Sequence, residues 1–175
     1  MKKKYEPIRQ YLFETKNLDG PPKDYLDQTA PLIGYIIHGF NTLETALDEA
    51  ICEMFFPDDD QRTGQIVIFK LGFNSKLDLF KRFWLNRQEF FENEAKVAYE
   101  LIEMLRDIGK LRNTVVHADW ESAHDDGYTL YRMKIHRGKL CHEYIQFSVE
   151  SLEKILEKID ICLEKYDEYE QLLES

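Results

Sequence analysis

A chain of 175 residues, 43% hydrophobic and 32% charged, has room for one buried core and needs long solvated faces. Its net charge of -10 excludes a protein that coats nucleic acid through overall charge, though not one with a local basic site. Cys52, Cys141 and Cys162 form no even set and no C-x-x-C pair, which excludes a disulfide framework and a zinc knuckle and leads us to expect a cytoplasmic protein.

Met1-Lys2-Lys3-Lys4 is basic but has no apolar run behind it, so no signal peptide is read there. The most apolar stretch, 30–40, is too short and interrupted to span a membrane, and no membrane partner is expected. Residues 1–22 read as an N-terminal arm ending in the breaker Leu18-Asp19-Gly20-Pro21-Pro22. In it, Tyr5, Ile8, Leu12 and Phe13 are spaced for one short helix.

The first long helix is predicted from Thr29, as N-cap, with Pro31 in its first turn. Leu32, Ile36, Phe40, Leu43, Leu47, Ile51 and Met54 then recur at three and four, and Pro57 with Asp58-Asp59-Asp60 stops the run. The short apolar stretch 65–69 has no clear type. Asn74 or Ser75 can cap a helix carrying Leu77, Phe80 and Trp84. A longer helix over 88–111 places Val97, Leu101, Leu105 and Ile108 on one face. The period then changes: 128–135 and 140–147 are aromatic and β-branched around Arg137-Gly138-Lys139, which predicts a β-hairpin. Ser148 caps a last helix striped with Leu152, Ile155, Leu156, Ile159 and Leu163. The expected fold is mainly α. It is a four- to five-helix up-and-down bundle, one domain over 1–175, with a β-hairpin (128–147) inserted before the last helix.

Chemistry concentrates at the end of the third long helix, in Leu111-Arg112-Asn113-Thr114-Val115-Val116-His117. At 3.6 residues per turn Arg112 falls among Leu101, Leu105, Ile108 and Val115, where a guanidinium needs an acid, an interface or a site. Arg106, Lys110, Asn113 and His117 share the other side. Arg112 and His117 are about 140° apart on an ideal helix, so facing one site requires a disturbed helix or an Arg112 that bends round. Gly109 is the candidate weak point, and irregular geometry is expected between it and Asn113.

These residues resemble the HEPN superfamily, whose R-N-x-x-x-H signature is matched by Arg112, Asn113 and His117. The resemblance extends to Asn41-Thr42-Leu43-Glu44 on a long first helix and to a short second helix over 76–85. It covers residues 28–118 and the final helix; the inserted hairpin belongs to only some branches. It implies a four- or five-helix bundle, often a homodimer in which the motifs of two subunits meet at one cleft. It also implies metal-independent RNA cleavage in active members, and roles in toxin–antitoxin or phage-defence systems with an antitoxin or other partner protein. Many members lack activity and serve as dimerising or RNA/nucleotide-binding modules.

The residue types suit that chemistry. Histidine can take the proton of a 2′-hydroxyl as it attacks the adjacent phosphate. Arginine can stabilise the charge that gathers on the phosphoryl oxygens. Asn113, one turn before His117, can orient either group. A structural reading competes, in which Arg112 pairs with Glu44 or another first-helix acid and His117 caps the helix.

Candidate RNA-binding residues are Lys110, Arg106, Lys81, Arg82, Arg132 and Lys134. Lys70, Lys76, Lys81, Arg82 and Arg87 lie in a stretch holding one acid, Asp78. The hairpin mixes Arg132, Lys134, Arg137 and Lys139 with Tyr128, Tyr131 and Tyr144, a combination that suits single-stranded RNA. His124-Asp125-Asp126, and His136 with Cys141-His142, offer metal-ligand types, but adjacent Cys141 and His142 on a strand point to opposite faces, and a metal site is rejected. Neither a metal nor a cofactor is expected. His38 reads as a core or interface histidine.

Overall fold

Helix α1 spans Lys23–Phe55 and begins directly after Pro22, whose carbonyl accepts the Tyr25 and Leu26 amides. It therefore starts earlier than the expected Thr29 cap. Thr29 is instead fully buried inside the helix, and its hydroxyl donates back to the Tyr25 carbonyl at 2.8 Å. Pro31 also sits within α1, where it removes only the one amide bond that would have reached back a turn. This computed structural model describes residues 1–8, 22–55, 61–87, 89, 91–124 and 126–174. Leu12, Phe13, the 57–60 stop, Gln88 and Asp125 lie outside those residues.

The chain is mainly helical, with a small antiparallel sheet before the last helix. The other helices are α2 (Gln61–Ile68), α3 (Phe73–Arg87), α4 (Glu92–Val116) and α5 (Val149–Glu174). The stretch of unclear type thus belongs largely to α2. The Gly72 carbonyl receives the Ser75 and Lys76 amides, so Asn74 and Ser75 fall inside the first turn of α3 and do not cap it. Ser148 does cap α5: its hydroxyl accepts the Ser151 amide at 3.1 Å, while the Ser151 hydroxyl accepts the Ser148 amide at 2.9 Å.

The predicted hairpin is β2 (Tyr128–His136) and β3 (Lys139–Gln146), turning at Arg137 and Gly138 with φ of 50° and 74°. Two successive positive φ angles match the right-handed twist of the strands they join. The arm corrects the expectation of a helix: Lys3–Pro7 forms β1, and the sheet order is β1-β3-β2. Tyr5 lies opposite Glu143 on one side of β3, and Arg132 lies opposite it on the other. The cause is ionic as well as backbone pairing. Glu143 is wholly buried, and its carboxylate accepts from Lys3 (2.9 Å), Tyr5 (3.2 Å) and Arg132 (2.7 Å). Burial alone would raise its pKa, but the hydrogen bonds from Lys3 and Arg132 outweigh it and hold the group at about 2.

The described residues fall into two compact units, and α1, α4 and α5 contribute residues to both. One unit, Met1–Ile36 with Leu111–Leu156, contains the sheet and the R-N-x-x-x-H segment. Its buried residues include Val115, Ile145, Phe147 and Leu152, and the Tyr25 hydroxyl donates to the Phe147 carbonyl at 2.9 Å.

The other unit, Ile37–Lys110 with Glu157–Ser175, contains helices and no strand among its described residues. Leu43, Leu47, Phe80, Leu101, Ile102 and Leu105 are essentially inaccessible, each stabilising by about 1.5–3 kcal/mol. Its one buried lysine, among the described residues, is Lys76, which donates to Asp48 (2.7 Å) and Glu44 (3.1 Å). Burial lowers the lysine's pKa, but the hydrogen bonds to both acids win and the net shift is upward.

Candidate functional site

Helix α4 runs unbroken through Gly109, so the irregularity expected between Gly109 and Asn113 is absent. Gly109 has a packing reason instead. A Cβ there would lie 2.8 Å from the Phe73 ring, and the missing side chain lets that ring approach the helix.

Arg112 is half-buried on the last turns of α4, and its Nη1 donates to the Asn113 carboxamide oxygen at 3.1 Å. On an ideal helix Asn113 is about 100° round from Arg112, and about 40° from His117. The guanidinium thus meets the side chain that lies between Arg112 and His117 in angle, with no disturbance of the helix. His117 follows the last helical residue and is exposed, and its amide donates to the Asn113 carbonyl at 3.0 Å. Asn113 is therefore the shared partner: its side chain receives Arg112 and its backbone receives His117. With its oxygen engaged, the carboxamide keeps its NH₂ as a donor.

The segment just beyond is fixed to the sheet. The Trp120 indole donates to the Val115 carbonyl at 3.0 Å, which satisfies one of the acceptors left at the end of α4. Trp120 also packs its ring 4.8 Å from that of Phe147. The Asp119 amide donates to the Leu130 carbonyl at 2.7 Å, and the Leu130 amide donates to the Ser122 hydroxyl at 2.8 Å. Residues 119–122, with a 3-10 turn at Trp120–Ser122, hold the end of α4 against β2. Trp120 escaped the sequence reading because an indole three residues past a helix motif has no periodic signature.

The remaining candidates divide. Arg106 pairs with Glu103, and Lys110 with Asp107 at 2.9 Å, each with an acid three residues earlier on α4. The Glu103 carboxyl is held below its usual range first by the Arg106 hydrogen bond, with Lys81 adding to the effect. Exposed Arg82 pairs with Asp78 at 2.9 Å. Lys76, counted in the same basic stretch, is withdrawn into the ion triad with Glu44 and Asp48. That triad also takes Glu44, the acid considered for Arg112. Arg132 is half-exposed and paired with Glu143, while Lys134 is exposed on β2. His38 is exposed, not in the core.

Cys141 lies opposite Pro7 and Lys134, and His142 opposite Glu6 and Met133, so the two side chains project from opposite faces. Among the described residues no group of three or more His, Cys, Asp or Glu is placed to hold a metal. None of the described helices is long and apolar enough to cross a membrane. Comparison with protein-family models, curated proteins and solved structures finds no match, so function is read from the residues themselves.

Proposed function

We propose that this protein is a HEPN-like, metal-independent endoribonuclease of a toxin–antitoxin or phage-defence type, working as a homodimer. The observation that carries the reading is the connected group Arg112–Asn113–His117 at the end of α4. In it the Arg112 guanidinium bonds the Asn113 carboxamide, and His117, with an exposed side chain, follows one turn later, its backbone amide bonded to the Asn113 carbonyl. His117 takes the 2′-hydroxyl proton as that oxygen attacks the adjacent phosphorus. The 5′-oxygen of the next nucleotide then leaves, and a 2′,3′-cyclic phosphate remains. Arg112, held by Asn113, faces the charge that builds on the non-bridging oxygens. The leaving oxygen needs a proton, and the second subunit's copy of the same segment supplies it by symmetry. Protein groups then fill every role, and no metal is required.

A second reading rests on the same hydrogen bond. Arg112 is half-buried and engaged with Asn113, as suits a dimerising or RNA/nucleotide-binding module that performs no chemistry. Incubating the purified protein with total RNA and tRNA in excess EDTA, beside an Arg112→Ala/His117→Ala double variant, separates the two. Cleavage ending in cyclic phosphate, lost in the variant, supports the enzyme. RNA left intact by a folded protein favours the module, and strict dependence on magnesium refutes the mechanism.

A further inference from the structure

Charge is distributed very unevenly along this chain. Residues 1–7 and 128–147, which make the sheet and its turn, hold seven lysines and arginines against two acids. That is a local +5 in a chain of -10, with two segments far apart in sequence brought side by side by β1-β3-β2 pairing. Register then sorts the side chains. Opposed residues share a face, so Lys3, Tyr5, Arg132, Lys134, His136 and Lys139 all stand on the face that carries Glu143. The other acid of the sheet, Glu6, is on the opposite face, paired with Lys4 at 2.6 Å.

Within this face the floor and the rim differ. Cys141, Glu143 and Ile145 are buried, whereas Lys3, Arg132, Lys134 and Lys139 reach solvent. Glu143 fixes Lys3 and Arg132 in place by direct ion pairs while leaving about half of each side chain accessible. Above β3, which separates their strands, the Tyr5 and His136 rings stack with centroids 4.0 Å apart and planes within 4°. Both rings are only half-buried. Beside them the Arg132 guanidinium covers the Tyr131 ring at 4.9 Å.

We propose that this basic, aromatic face of the sheet is a docking platform for single-stranded RNA, separate from the Arg112–His117 segment. Charge complementarity selects a polyanion. The stacked Tyr5–His136 pair selects unpaired bases, which can lay a π-face on a ring, where a polyanion without rings, such as polyglutamate, has none to offer. The bonds from residues 119–122 to Leu130 of β2 join the sheet to the end of α4, so the platform and His117 belong to the same unit. The proposal takes RNA as the ligand from the functional reading, and nothing else.

The test uses full-length His117→Ala protein, so that bound RNA stays whole, with a fluorescent twelve-nucleotide oligouridylate as probe. Adding Lys134→Ala and Lys139→Ala should weaken binding about tenfold at moderate salt, and should lower the slope of log affinity against log salt by about 1.4 for two lost phosphate contacts. His136→Ala should weaken binding by a similar factor with little change in salt slope, because it removes stacking and not a fixed charge. Unchanged affinity in the double lysine variant overturns the proposal, as does equal competition by polyglutamate or by duplex RNA. Sheet-dependent binding without cleavage by the unaltered protein upholds the platform and removes the nuclease. Cleavage with binding that ignores the sheet lysines does the reverse.

Discussion

Replacing Glu143 with glutamine should change how stability depends on pH more than it changes stability at its best. The Glu143 carboxyl titrates at about 2 in the folded chain, against an ordinary value of 4.5. A depressed pKa contributes stability that is fully present above the ordinary value and is lost as pH falls toward 2. The whole shift corresponds to about 3 kcal/mol, and about 2 kcal/mol of it is gone by pH 3. A carboxamide at this position has no charge to lose, and Lys3 and Arg132, each half-exposed, can turn to water. The stability gap between unaltered and Glu143→Gln protein should therefore narrow by about 2 kcal/mol from pH 7 to pH 3. Urea titrations at both pH values measure it, and amide exchange along β3 shows whether the loss is in the sheet. The reverse truncation, Lys3→Ala with Arg132→Ala, strands a buried carboxylate and should cost more than Glu143→Gln at pH 7. A gap that does not vary with pH, or a double variant milder than Glu143→Gln, would refute the ionic account of how β1 is held.

Lys76→Met should destabilise by about 2 kcal/mol in urea, because it leaves Glu44 and Asp48 facing each other, and neutralising both acids should restore the loss. Gly109→Ala gains about 1 kcal/mol of helix propensity but drives a methyl into the Phe73 ring, so the net effect should be a lower Tm, reversed by adding Phe73→Leu. Ser148→Ala loses the reciprocal cap of α5 and should cost about 1 kcal/mol by thermal unfolding. Asn113→Ala removes the hydrogen bond that the Arg112 guanidinium makes to the carboxamide and, if the proposed nuclease reading holds, should slow RNA cleavage about ten- to a hundredfold with the circular dichroism spectrum unchanged.

What could be read from sequence follows the range of the interaction involved. The apolar stripes of α1, α4 and α5 repeat within a turn or two, and Arg137-Gly138 announces its own backbone angles, so helices and hairpin were legible. Thr29 looked like a cap because it precedes Pro31, yet a hydroxyl inside a helix can bond back to its own turn. β1 was misread since its partner is remote: Tyr5 and Ile8 fit a helical spacing, and nothing near Lys3 hints at Glu143. At the candidate site the residue types and their helix were legible. The manner in which Arg112 and His117 are related was not, because Gly109 serves the Phe73 ring and Asn113 gathers the guanidinium instead. Lys76 illustrates the same limit, as a lysine among lysines whose acids sit on another helix.

The pairing of β1 with β3 also sets a timetable. Lys3 leaves the ribosome 140 residues ahead of Glu143, on the order of ten seconds at ordinary rates of synthesis. Throughout that interval the edge it will join does not exist, whereas α1 through α4 can already form from neighbouring residues. Segment 3–7 is thus made early and seated late, and β3 must acquire both neighbours before its carboxylate is neutralised. A polypeptide stalled short of residue 143 would carry β1 as a loose basic tail.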